Sequence, residues 1–193
     1  MSLFRRRKAD AVPTLPVLQS ERLVLRSFDP SDAVDVYEYA QSEKVGPMAG
    51  WAPHKSLEDS RAVVDGFIRS GEVWAIVSKK TGRVIGSLGL HKRGTCTSEG
   101  SRELGYALGE NHWGNGYATE ACRIALDYAF TRLDCRVVRV GHFPFNQKSR
   151  RLIKKLGFVY EGTLRQVVQL PDGSWTDELM YSLLRDEYLS QSR

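Results

Sequence analysis

Residues 110–120 read Glu110-Asn-His-Trp-Gly-Asn-Gly-Tyr-Ala-Thr-Glu120, two glycines one residue apart that open directly into a stretch with helical apolar spacing. A loop of this kind turns backbone N–H groups toward one point at a helix N-terminus. Donors without an intrahelical partner and the positive end of the helix dipole favour an anion there. The same glycines also suit a plain tight turn from strand to helix. From Tyr117 to Thr131, Ala118, Ala121, Cys122, Ala125 and Ala129 recur at spacings of three and four, one face of a helix. Immediately upstream, Ser101-Arg-Glu-Leu-Gly-Tyr-Ala-Leu108 reads as a strand that ends just before the loop.

Working outward, Val73–Val77 and Val84–Leu90 flank a turn at Lys79–Arg83, and the polar stretch Thr95–Gly100 reads as a second turn, so three antiparallel strands feed the loop. Arg22–Phe28 alternates as a strand, and Asp29-Pro30 opens a helix expected to reach about Ser42. Lys44–Lys55 holds Gly46, Pro47, Gly50, Trp51 and Pro53, too many breakers for regular structure. Ser56-Leu-Glu-Asp59 has capping-box spacing and starts a second helix running to about Ser70. Downstream follow a strand at Arg136–Val140, a helix at Asn146–Leu156 capped by Gly157, and strands around Phe158–Leu170 and Trp175–Leu184 joined by a turn at Pro171-Asp172-Gly173. The order predicts an α/β sheet of mixed direction in a single domain, residues 20–193, behind a basic tail, residues 1–19.

The 193 residues suffice for one packed core. The net charge of +5 is carried in part by Arg5, Arg6, Arg7 and Lys8, which fit either a solvated terminus or a basic arm for RNA or an acidic surface. No apolar core of a signal peptide follows the arm, and no apolar run approaches the roughly 20 residues of a membrane span. A cytoplasmic protein without membrane association is expected. Cys96, Cys122 and Cys135 form no Cys-x-x-Cys pair, and His54, His91, His112 and His142 lack ligand spacing, so no metal is expected. Cys122 falls on the apolar helix face and reads as packing, as do Trp74 and Trp175 in the core or hairpins.

Three anions compete for the loop. The dinucleotide fingerprint needs a third glycine where Thr119 stands, and it should follow the first strand of a βαβ unit, whereas here a meander precedes it. A nucleoside-triphosphate loop needs Gly-Lys followed by Ser or Thr, which occurs nowhere in the chain. Coenzyme A remains. Trp113-Gly-Asn-Gly-Tyr-Ala118-Thr-Glu-Ala121 resembles the pyrophosphate loop of the GNAT superfamily of acetyl-CoA-dependent N-acetyltransferases, and Glu103-Leu-Gly-Tyr106 resembles that fold's fourth strand. Asn146-Gln-Lys-Ser149 and Lys155-Leu-Gly-Phe158 match a further motif. The opening Ser20-Glu-Arg-Leu-Val-Leu-Arg26 and the Trp-Gly form of the loop are most similar to the branch that acetylates ribosomal-protein N-termini.

The resemblance implies a mostly antiparallel twisted sheet of about seven strands with helices on both faces, and acetyl-CoA as co-substrate. It places pantetheine along Ala107 and Leu108 and pyrophosphate against the backbone of Trp113, Gly114, Asn115, Gly116, Tyr117 and Ala118. Thr119 would add a hydroxyl contact to phosphate, or simply sits in the first helical turn. Asn146 would bond the pantetheine amide, or act as an ordinary helix cap. Glu103 is the expected base, acting through a water. An ordinary carboxylate is a weak base for an ammonium, so Glu103 is expected to be partly buried. Two features depart from the pattern. Trp113 replaces the Gln or Arg that usually begins the loop, and Ile153 stands where many relatives carry a tyrosine acid. Ser149, the only hydroxyl of its helix, is the expected donor to the leaving thiolate.

Trp51, Pro53 and His54 border the expected acceptor cleft. The acceptor read first is a protein or peptide N-terminal amine, and the alternative is a polyamine, amino acid or aminoglycoside. A non-catalytic acyl-CoA-binding or RNA-associated module is a third reading. Nucleic acid is expected to engage, if at all, only through the basic arm, and a homodimer is compatible with all three.

Overall fold

The computed structural model describes residues 14–92 and 99–191; the Arg5–Lys8 arm, Cys96 and most of the expected turn at 95–100 lie outside them. Eight strands form one open sheet: β1 (Leu18–Gln19), β2 (Leu23–Ser27), β3 (Val73–Ser78), β4 (Val84–His91), β5 (Ser101–Leu108), β6 (Val137–His142), β7 (Val159–Gln169) and β8 (Trp175–Leu184). Their order is β1-β2-β3-β4-β5-β6-β8-β7. Only β5 and β6 run parallel; every other neighbouring pair is antiparallel. The sheet is mixed and mostly antiparallel as expected, with one strand more than the expected seven.

The additional strand is β1, in the segment expected to be tail. Leu18 and Gln19 pair with Leu25 and Val24. The chain before them is tied down where Leu15 N–H donates to Ser27 Oγ (3.0 Å) and Trp74 Nε1 donates to the Pro16 carbonyl (2.9 Å).

Helices α1 (Ala33–Ala40) and α2 (Leu57–Ser70) cover one face. They share a core with the outward side chains Ala75, Val77 and Val84 of the sheet. Helices α3 (Tyr117–Thr131) and α4 (Gln147–Lys155) cover the other face, burying Leu23, Leu25, Ile76, Leu88, Leu104 and Leu108. The small residues Ala121, Cys122, Ala125 and Ala129, all fully buried, let α3 lie close on the strands. The end of β8 leads directly into a short α5 (Arg185–Gln191), not expected from the sequence, with Tyr188 stacked on Phe130.

The first expected helix is divided. Asp29 caps a 3-10 turn at Pro30–Asp32, in which Asp32 also receives a bidentate bond from Arg26 (2.7 and 2.8 Å), and α1 begins only after it. Ser56 and Asp59 form the expected reciprocal capping box on α2. The breaker-rich segment carries one 3-10 turn, Pro47–Ala49, where none was expected. Among the described residues no helix is long and apolar enough to cross a membrane.

Candidate active site

The glycine loop sits between the end of β5 and the start of α3. Gly114 and Gly116 both take left-handed backbone conformations, φ +78° and +79°. Gly116 is the N-cap of α3 and supplies no side chain, so the first N–H groups of the helix face the loop with no side-chain cap. That is the donor array expected of an anion cradle. Trp113 is turned inward, its Nε1 donating to the Leu108 carbonyl (2.7 Å), which fixes the loop to the strand end.

Two cations lie beside the loop, although position 113 itself carries none. Lys148 of α4 lies over the Trp113 ring, Nζ 3.5 Å from its centre. Arg22 of the β1–β2 connection donates to the Asn115 carbonyl (3.0 Å) and to Glu120 (2.7 Å), and stacks over Tyr117. Burial alone would raise the Glu120 carboxyl, but bonds from Ser20 and Arg22 and the Arg22 charge hold it below the ordinary carboxylate range. Beside this network opens a cavity of about 490 Å³, bordered by Arg22, Gly116, Thr119, Arg123 and Lys155 among others. Sequence spacing could not single out Arg22 or Lys148, because each reaches the loop from another segment.

The second element of the site is a gap in the sheet. β5 and β6 pair for three positions only, Ser101 with Val137, Arg102 with Val138 and Glu103 with Arg139. Beyond Glu103 the strands part. Gly109 N–H donates to the Ile85 carbonyl (2.9 Å), which assigns the odd-numbered backbone groups of this edge to β4 and leaves those of Leu104, Tyr106 and Leu108 aimed at the gap. A parallel strand that loses its neighbour in this way offers backbone donors and acceptors to an extended ligand.

Strand alternation divides the expected residues between the two faces. Leu104, Tyr106 and Leu108 join the core under α3 and α4, whereas Ala107 joins the core under α1 and α2. Glu103, with the same parity as Ala107, therefore stands on the α1/α2 face at the apex of the gap, half-buried. Ser149, 9% exposed, stands on the opposite face and shares a hydrogen bond of 2.6 Å with the Tyr106 hydroxyl. The expected base and the expected thiolate donor thus flank the gap from opposite sides. Ile153 is fully buried in the core.

Asn146 caps α4, its Oδ1 accepting from Ser149 N–H (3.0 Å), and its Nδ2 donates to the Met48 carbonyl (2.9 Å). The cap reading of Asn146 is observed; each end of the amide retains capacity for one more bond. Through Met48 this residue joins α4 to the segment between α1 and α2. In that segment His54 Nδ1 pairs with Ser60 Oγ (2.8 Å), and its ring lies against Trp51. Burial lowers the His54 pKa.

On the α1/α2 face the floor beside Glu103 is made of glycine. Gly89 and Gly105 are register partners, and the His91 ring occupies the space that their side chains would fill; Glu178 does the same over Gly141 on β6. Trp175, expected in packing, is instead 54% exposed on the β7–β8 hairpin. Cys122 is fully buried with its thiol pushed well up by burial, in keeping with packing. Among the described residues no group of three or more His, Cys, Asp or Glu could hold a metal ion.

Residues 22–159 match the family described as the acetyltransferase (GNAT) domain. A Bacillus licheniformis protein named uncharacterized N-acetyltransferase p20 is 32% identical over 179 residues, 90% of this chain and 99% of that one. The putative ribosomal N-acetyltransferase YdaF of Bacillus subtilis is 32% identical over 176 residues, 88% of this chain and 94% of that one. Among solved structures, a GNAT-family acetyltransferase from Bacillus anthracis superposes with a TM-score of 0.81 at 24% identity, covering 89% of this chain and 100% of that one.

Proposed function

The chain belongs to the GNAT family of acetyltransferases, and on that premise we propose that it transfers the acetyl group of acetyl-CoA to the N-terminal amine of a protein or peptide, the ribosomal-protein type of acceptor. The observation that carries the reading is the juxtaposition of two left-handed glycines at the α3 N-terminus with a gap in the sheet exactly one strand end away. Pyrophosphate is assigned to the N–H groups of residues 113–118, with Thr119 at its border and Lys148 and Arg22 supplying positive charge. Pantetheine is assigned to the gap, along Ala107 and Leu108 and the inward-aimed backbone of β5, with Asn146 bonding its amide.

In this arrangement the amine nitrogen attacks the thioester carbonyl, the C–N bond forms and the C–S bond breaks, leaving the electron pair on sulfur. Glu103 takes the ammonium proton through a water. Ser149 donates a hydrogen bond to the sulfur; a thiol of pKa about 8.5 departs without a strong acid. Most of the acceleration comes from positioning and from N–H donors at the carbonyl oxygen, with acid–base help of about 10²–10⁴-fold. The acceptor enters on the α1/α2 face, past Trp51, Pro53 and His54. Residues 44–55 contain no Asp or Glu, which favours an uncharged or weakly charged acceptor body over a polycation. The name of the Bacillus subtilis relative supports the ribosomal type. A cytoplasmic location and a single domain, which β1 extends back from residue 20 to include Leu18 and Gln19, complete the proposal.

Release of free thiol from acetyl-CoA against a panel of N-terminal peptides, polyamines, amino acids and aminoglycosides tests it. Peptide-dependent release is expected. Preference for a polyamine, amino acid or aminoglycoside would replace the acceptor, and tight coenzyme A binding with no acceptor-dependent release would leave a binding module.

A further inference from the structure

Ile153 leaves this chain without a phenol on α4, yet a phenol reaches the same place from the strand. A helical side chain covers the turn N-terminal to its own Cα, so a tyrosine at position 153 would end beside Ser149. The Tyr106 hydroxyl arrives there from β5, 2.6 Å from Ser149 Oγ. We infer that Tyr106 is a positioning residue for departure of the thiol, its phenol holding the Ser149 hydroxyl so that the serine O–H points at the sulfur.

Three observations support the assignment. The Ser149 backbone is already fixed by Asn146 Oδ1, so the remaining freedom is the side-chain rotamer and the hydroxyl torsion, both of which the bond to Tyr106 restricts. A hydroxyl has one proton and two lone pairs; when the phenol, the more acidic partner, donates to Ser149 Oγ, the serine proton is left for an acceptor in the gap. Burial raises the Tyr106 phenol above its ordinary range, so it keeps its proton at working pH and remains a donor. No proton leaves Tyr106 in the step: the C–S electron pair goes to sulfur, Ser149 donates a hydrogen bond to it, and the amine proton leaves through Glu103. Two hydroxyls in series polarise one another, which strengthens the terminal donor.

The inference rests on the donor role proposed for Ser149, and a double-mutant cycle on the full chain separates the two. The measurement is kcat and KM for acetyl-CoA with the best acceptor of the panel, for wild type, Tyr106→Phe, Ser149→Ala and the double variant, alongside calorimetric coenzyme A binding and thermal melting. Tyr106→Phe is expected to lower kcat about five- to tenfold, the scale of one net hydrogen bond, with KM for acetyl-CoA within about twofold. Ser149→Ala is expected to lower kcat at least as much, and the double variant to equal Ser149→Ala alone. A Tyr106→Phe kcat within twofold of wild type overturns the inference, as does a double variant whose losses multiply. Parallel loss of coenzyme A binding and melting temperature in Tyr106→Phe also overturns it, since the tyrosine would then only hold the fold together. Normal kcat in Ser149→Ala removes the donor role and the inference together, as does a wild type with no acceptor-dependent release. Normal turnover in Tyr106→Phe beside a slow Ser149→Ala removes the inference alone.

Discussion

The two halves of the gap are built by different means. On the donor side the geometry is backbone: Gly114 and Gly116 hold left-handed φ, α3 begins without a side-chain cap, and the even-numbered groups of β5 face inward. The contiguous stretch 104–118 specifies nearly all of it. On the acceptor side the geometry is side chains from separate segments, His54 and Trp51 between α1 and α2, His91 over Gly89 and Gly105, and Glu178 over Gly141. The halves are joined where Asn146 of α4 donates to the Met48 carbonyl. Under the proposed assignment, a phosphate of fixed shape meets an array of backbone N–H groups, whereas the acceptor meets side chains drawn from separate segments.

The largest effect expected from separating the halves is at Glu103. Glu103→Gln removes the proposed base and leaves the donor loop intact, so kcat/KM for the acceptor should fall by about 10²–10⁴-fold at neutral pH while calorimetric coenzyme A affinity stays within twofold. An unchanged kcat/KM between pH 6 and 9 would place the base elsewhere on the acceptor side. Next in size is Gly116→Ala. A side chain in left-handed backbone costs roughly 1–2 kcal/mol, which corresponds to about five- to thirtyfold weaker coenzyme A binding. Gly162→Ala, on β7, supplies the control. No neighbour lies within 4 Å of its added carbon and its φ is not positive, so coenzyme A affinity should not change. Equal losses in the two variants would refute a backbone-built donor side.

Arg22→Ala should act on the donor half alone and more weakly. Its bonds to Asn115 and Glu120 hold the loop, but the side chain is 44% exposed, and exposed ion pairs contribute little because solvent screens them. Coenzyme A affinity should fall about two- to fivefold, and the difference from wild type should shrink at high salt. Loss of acceptor specificity with unchanged coenzyme A affinity would move Arg22 to the other half.

What the sequence disclosed follows the same division. The strand Ser101–Leu108 and the helix Tyr117–Thr131 are found at the expected residues, because alternation, helical spacing and the intervening glycines are local signals. The Leu18–Gln19 strand is too short for any periodicity and is held by Trp74 and Ser27, 58 and 12 residues distant from their partners. The seven-residue α5 is below the roughly 12–15 residues at which a helix announces itself, and it is secured by the Phe130–Tyr188 stack. The Pro30–Asp32 turn is a separate element from α1, with Asp32 closing its capping box and pairing with Arg26, side-chain bonds that periodicity does not report. Of the proposed site, Glu103 and Ser149 are legible as residue types at positions matching the family motifs. The bond from Tyr106 to Ser149 spans 43 positions, and no spacing rule reaches across it.

The smallest expected effect separates the halves by pH. Burial lowers the His54 pKa, so the folded chain favours the neutral ring, and the unfolded chain binds more protons once the pH falls below the ordinary value of about 6.5. The contribution of His54 to holding residues 44–55 is therefore present above that value and is lost as pH falls through the lower folded pKa. Glu120, which ties the donor loop to Arg22, is held below the ordinary carboxylate value of about 4.3, so its contribution persists over the same interval and fades only in stronger acid. Between pH 7 and 5.5, amide protection factors should decline modestly in residues 44–55 and stay level in residues 113–120. Hydrogen exchange is the appropriate probe because the amine acceptor titrates as well and would obscure the effect in KM. His54→Gln, which cannot gain a proton, should flatten the pH dependence of residues 44–55. A parallel decline in both segments would mean that the Asn146–Met48 bond couples the halves strongly enough to make them one unit.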